Sequence, residues 1–171
     1  MVLAPDGFKD EEYLEPRQVL EKSGIVIKVA SLRSGEAHGV KGALAPIDLL
    51  ATEVKPEDFD AIIFVGGPGM ADLVSDGRLI VLAQQFHQAG KLTTAICIAP
   101  MILAYAGLLK NKKATVWPRS QEDFIKAGAL YTGKAVEIDG RIITADGPGA
   151  ARKFGETIAG SIFGGLTSKR G

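Results

Sequence analysis

Apolar residues along this chain gather into short, nearly uninterrupted runs, and helical patterns separate those runs. The runs VLA (2–4), IVIKVAS (25–31), DAIIFVGG (60–67), LTTAI (92–96) and the stretch from 141 to 145 predict strands. Those starting at 25, 60, 92 and 141 are nearly all apolar, as expected where helices cover both faces of a sheet. Between them, Tyr13, Leu14, Val19 and Leu20 give DEEYLEPRQVLEKSG one apolar helical face, ending at Ser23-Gly24. DGRLIVLAQQFHQAGK (76–91) is amphipathic and stops at Gly90, and APMILAYAGLL (99–109) predicts a buried helix. KATVW (113–117) is a further strand, followed by a short helix near RSQEDFIKAG. A hairpin is expected within 33–50, a second over 135–145 through Asp139-Gly140, and a closing helix over about 149–164. The first strand has only three or four residues, so the chain is expected to begin inside it.

Strands alternating with helices predict an α/β architecture with a mostly parallel sheet, and a Gly-rich loop follows the strand at 60–65. The 171 residues show no repeat, low-complexity segment or linker, which is most economically one domain spanning 1–171. The 20 basic and 20 acidic residues balance, giving no electrostatic reason to expect nucleic acid or an anionic membrane. No apolar run is long enough to span a bilayer and the start lacks a secretory pattern, so a cytoplasmic location is expected. One cysteine excludes an internal disulfide and a multi-cysteine metal site, and no metal or cofactor is expected.

That cysteine, Cys97, sits between Ile96 and Ile98 where a strand run gives way to a helical one. Chemistry in open α/β sheets collects outside the carboxyl ends of strands. Small neighbours two places away, Ala95 and Ala99, suit a sharp strand-to-helix elbow that presents the sulfur to a cleft. Free N–H groups at the start of the next helix would favour a thiolate. Spacing alone leaves this reading level with a bland one, since unpaired cysteine is often just a small buried hydrophobe.

AICIAP resembles the AIC-x-GP elbow of the PfpI/ThiJ superfamily, which includes archaeal intracellular proteases and the parkinsonism-associated deglycase. APDGFKDEEYLEP resembles its GFED-x-E-x-x-x-P segment, FDAIIFVGGPG its YDA-x-x-x-PGG loop, and ATVWP its T-x-x-P strand. DGRIITADGPGAA is similar to its DG-x-x-x-T-x-x-GPG hairpin. The resemblance implies a flavodoxin-like three-layer sandwich related to class I glutamine amidotransferases. It also implies Cys97 as nucleophile, Glu12 as the acidic residue hydrogen-bonded to its sulfur, and backbone amides at Gly66, Gly67 and Ile98 as an oxyanion site. A carboxyl pressed against a thiolate should have a raised pKa. Glycines let amides turn into a cleft, although two in a row also suit a plain turn.

Two positions depart from the pattern. The protease-like branch carries His directly after the cysteine, where this chain has Ile98. The deglycase-like branch carries His in the strand after the elbow helix, where this chain has Trp117, which either lines the pocket or packs in the core beside Pro118 and in neither place takes a proton. His38, in a loop, and His87, late on an amphipathic helix, remain; a solvated or structural role is the ordinary reading of both. The resemblance therefore implies either a cysteine-dependent glyoxalase, deglycase or peptidase-like hydrolase acting on small carbonyl or acyl compounds, or a redox-responsive stress protein whose Cys97 becomes a sulfinate. It further implies a homo-oligomer, a dimer or larger, with Ile158, Ile162 and Phe163 as apolar residues for either core or contact.

Overall fold

A computed structural model describes residues 1–168. The strands are β1 (Val2–Leu3), β2 (Asp6–Phe8), β3 (Ala30–Ser31), β4 (Glu36–Gly39), β5 (Leu44–Pro46), β6 (Leu49–Leu50) and β7 (Ala61–Phe64). They continue as β8 (Leu92–Ile96), β9 (Lys113–Ala114), β10 (Leu130–Tyr131), β11 (Val136–Asp139) and β12 (Ile142–Ala145). The helices are α1 (Asp10–Lys22), α2 (Pro68–Ala71), α3 (Gly77–Gln88), α4 (Pro100–Tyr105), α5 (Gln121–Lys126) and α6 (Ala151–Ser168). Seven strands form the central sheet in the order β11-β12-β8-β7-β1-β3-β6, parallel throughout except for the antiparallel β11–β12 hairpin. Apolar clusters lie on both faces, one under α3 and α4, the other under α1 and α6. This is the flavodoxin-like three-layer arrangement expected from the sequence.

Local chemistry accounts for the helix boundaries. Asp76 accepts the Arg78 N–H at 2.9 Å to cap α3, and Gly90 turns the chain out at φ +68°. In α1, Asp10, Glu11 and Glu12 lie in the first turn and Lys22 in the last, which suits the helix dipole. α1 and α6 pack so closely that a Cβ on Gly155 would stand 2.8 Å from the Pro16 Cα. Of the closing-helix residues, Ile158 is fully buried, Ile162 is half-buried and Phe163 is exposed. No helix among the described residues is long and apolar enough to cross a membrane.

Three elements differ from the sequence reading. The run 25–31 keeps ladder pairing only at Ala30–Ser31, which pair with β1 and β6. The helix expected over 99–109 ends at Tyr105, since Gly107 at φ +75° breaks the ladder. The strand expected over 113–117 is confined to Lys113–Ala114, which pairs with β10 outside the central sheet. The hairpin expected within 33–50 forms as β4–β5, and β2 joins it in a separate three-stranded sheet.

Candidate active site

Cys97 follows β8 directly, at the carboxyl end of a fully buried strand. Its φ of +64° is one of only two positive values at non-glycine residues among those described. Such a backbone is strained for a residue with a Cβ and persists because the surroundings fix it. Two short bonds do this: Cys97 N–H donates to the Ala145 carbonyl at 2.9 Å, and Trp117 N–H donates to the Cys97 carbonyl at 2.7 Å. Ala95 and Ala99 are completely buried on either side. The sharp elbow anticipated from the small-residue spacing is therefore present.

Glu12 arrives from the first turn of α1 and is wholly buried. It converges with the cysteine on Gly66: a Cβ there would lie 2.5 Å from Glu12 Oε2 and 2.7 Å from Cys97 Cβ. Only glycine leaves space for both. No donor is well aligned on either carboxylate oxygen. The Cys97 thiol and Gly66 amide face the carboxylate and offset its burial only in part. Desolvation therefore dominates and raises the Glu12 pKa from 4.5 to about 7. Burial also pushes the Cys97 thiol up, and the adjacent Glu12 charge pushes it further. The amides of Ile98 and Gly67 approach the sulfur and act the other way, but more weakly. The pull of the helix-start amides toward a thiolate is outweighed, and near neutral pH the site holds a thiol beside a carboxyl group poised to ionise.

The glycine loop is held from behind. Gly66 accepts the Lys9 N–H at 3.0 Å, and Gly67, at φ +123°, accepts from Met70 and Ala71 to start α2. A Cβ on Gly67 would stand 2.5 Å from the Gly7 carbonyl oxygen. The Gly66 amide serves Glu12, while those of Gly67 and Ile98 serve the sulfur. Trp117 is partly exposed, and its ring covers Gly147, whose added Cβ would stand 3.2 Å away. Its backbone N–H meets the Cys97 carbonyl, and its indole supplies no proton acceptor.

Neither histidine enters this constellation. His38 Nδ1 meets Asp6 Oδ1 at 2.9 Å and its Nε2 lies 3.7 Å from Glu36 on the outer sheet. His87 is near the end of α3, which leads into the opposite end of β8 from Cys97. Among the described residues no cluster of three or more His, Cys, Asp or Glu could hold a metal ion. Sequence patterns miss the backs of the site: Lys9, which anchors Gly66, and Ala145, which anchors Cys97, act through main-chain atoms and carry no side-chain signal.

Known proteins resemble this chain over most of its length. The profile described as DJ-1/PfpI family matches residues 1–160. A protein of Methanocaldococcus jannaschii is 41% identical over 165 residues, covering 95% of this chain and 80% of that one. Deglycase PfpI of Pyrococcus furiosus is 30% identical over 149 residues, covering 87% of this chain and 90% of its own. The crystal structure of a ThiJ/PfpI domain protein from Brachyspira murdochii superimposes with a TM-score of 0.91 at 33% identity, covering 93% and 92% of the two chains.

Proposed function

Since this chain belongs to the DJ-1/PfpI family, we propose that it is a cysteine-dependent enzyme acting on small carbonyl compounds, in the manner of a glyoxalase or deglycase. The observation that carries this reading is the buried carboxyl group of Glu12, with a pKa near 7, at the Cys97 thiol. A general base works best when its pKa lies near the working pH, so Glu12 takes the place that a histidine would otherwise fill. The Cys97 sulfur attacks the carbonyl carbon, forming a C–S bond as the C=O π bond opens. The thiol proton passes to Glu12, and the new oxyanion accepts from the Gly67 and Ile98 N–H groups. Return of that proton from Glu12 to the oxygen gives a neutral hemithioacetal. The Pyrococcus furiosus relative is named a deglycase.

The alternative, oxidation of Cys97 to a sulfinate, needs a standing thiolate. Burial and the Glu12 charge both oppose one, which favours attack coupled to proton transfer. The test is consumption of methylglyoxal by the purified chain. Wild type is expected to consume it catalytically, and Cys97→Ser to fall at least about a thousandfold. Equal rates in the two proteins would refute the reading.

Trp117 is tied to the elbow by its backbone bond to the Cys97 carbonyl. Trp117→His should place an imidazole beside the elbow and raise the rate of Cys97 alkylation at pH 7 by about tenfold or more. A folded variant with unchanged alkylation would show that this position does not limit the thiol.

A further inference from the structure

The outer three-stranded sheet grips α1 one residue pair ahead of Glu12. The turn joining β4 to β5, residues 40–43, sends main-chain N–H groups to the start of that helix. Val40 donates to the Phe8 carbonyl at 3.0 Å. Lys41 and Ala43 donate to the two Asp10 carboxylate oxygens, one each, at 2.9 and 2.8 Å. The Lys41 ammonium pairs with Glu11 across the same junction. Asp10 is only 5% exposed, and its carboxylate lies against Gly39. A Cβ on Gly39 would stand 2.7 Å from the carboxylate carbon and from both oxygens.

Asp10 and Glu12 share the first turn of α1 and are both buried, yet their surroundings drive them apart. Burial works against a charge on Asp10. The Lys41 and Ala43 N–H groups, with the Lys41 ammonium beyond them, outweigh it and hold this carboxyl below its usual range. Glu12 has no well-aligned donor, and burial raises it. It faces the Cys97 thiol, the Gly66 amide and the charges of Lys9 and Glu11. Carboxyl groups set apart in this way take different roles.

Nothing aligned grips the Glu12 side chain, so its place at the sulfur depends on where α1 begins. Lys9, the residue ahead of the helix, supplies no capping side chain. Its N–H holds the Gly66 carbonyl on one side of the helix start, and Asp10 holds the β4–β5 turn on the other. We infer that Asp10 is a positioning residue for the thiol–carboxyl pair: bonded to the β4–β5 turn, it fixes the first turn of α1 so that Glu12 lies at Cys97 and out of water. This role rests on the reading of Glu12 as the base.

The test follows the Glu12 carboxyl by carbon-13 NMR from about pH 4 to pH 9, with Glu12→Gln identifying its signal. Wild type is compared with Asp10→Ala, Gly39→Ala and Asp76→Ala. Gly39 has no positive φ, so an alanine there meets the Asp10 side chain and displaces it with every charge kept. Asp76→Ala is the control: it removes the cap of α3 and lowers Tm without touching α1. Wild type and Asp76→Ala should titrate near 7, and the other two at about 6 or lower as water reaches Glu12. In those two, kcat for methylglyoxal should fall about a hundredfold with KM little changed. If Asp10→Ala does not fold, Gly39→Ala decides alone. An unmoved Glu12 midpoint in folded Gly39→Ala would overturn the inference, as would an equal drop in Asp76→Ala. The two readings fail differently. A wild type without turnover whose Glu12 midpoint still moves in Gly39→Ala would sink the enzymatic reading and keep Asp10 as the anchor. Wild-type turnover with an unmoved midpoint would do the reverse.

Discussion

Replacing Glu12 with Gln is expected to lower methylglyoxal consumption by about 10²–10⁴-fold while the chain stays folded. Gln keeps the size of the side chain but cannot take the proton that Cys97 releases on attack. The same change has a stability signature whose sign follows from the raised pKa. The folded state holds a proton on Glu12 up to about pH 7, whereas an ordinary glutamate releases it near 4.5. Between these values the folded state binds more protons than the unfolded one, so stability from this group falls as pH rises. The full difference is on the order of 3 kcal/mol, present below pH 4.5 and lost above pH 7. Glu12→Gln should therefore melt higher than wild type at pH 8, with the advantage shrinking toward pH 4. A variant as active as wild type, or one whose relative stability ignores pH, would show that the carboxyl group neither ionises in the site nor serves it.

Gly69→Ala is expected to be the most damaging of the glycine substitutions for folding. A Cβ at Gly69 would overlap the Asp6 carbonyl oxygen and press on the Ala4 side chain at 3.2 Å. The first of these is backbone in β2 and cannot swing away as a side chain tip would. Relief requires α2 to back off from β2, and α2 is preceded by its N-cap Gly67, the residue whose amide faces the sulfur. The expected cost is about 3 kcal/mol, or a fall in Tm of roughly 6–12 °C. Aldehyde turnover should drop with it even below the melting range. Gly77→Ala is the control: nothing lies within 4 Å of its added Cβ, and its Tm should stay within about 2 °C of wild type. Similar melting of the two variants would mean that the α2–β2 approach is loose.

Much of this architecture was legible from local pattern. Leu92–Ile96 and the hairpin through Asp139-Gly140 announce themselves because a fully apolar run and a tight-turn dipeptide are both short-range signals. The elbow at Cys97 was legible for the same reason, through the small residues on each side. What was not legible depends on distant partners. Asp6–Phe8 is polar, with Gly7 at φ +78°, and becomes a strand only because β4 lies beside it. The run 25–29 is largely apolar, yet ladder pairing begins only at Ala30, where β1 and β6 lie alongside. In sequence, helix-start amides favour a thiolate and an apolar pocket disfavours one, with no way to weigh them; the joint burial of Glu12 and Cys97 decides the sign and belongs to the packed structure. The resemblance placed Glu12 near the sulfur; that Gly66 must lack a side chain to let the two meet is a fact of three elements converging.

The most direct measurement of the account is the pH dependence of kcat/KM for methylglyoxal in wild type and Glu12→Gln. With Glu12 as base, the wild-type rate should rise with pH through a single group near 7 and level off above about pH 8. The residual rate of Glu12→Gln should lack that step. A wild-type rate that climbs steadily through pH 9 and beyond, with the same slope in Glu12→Gln, would instead make ionisation of the Cys97 thiol the controlling event and would contradict the role given to Glu12.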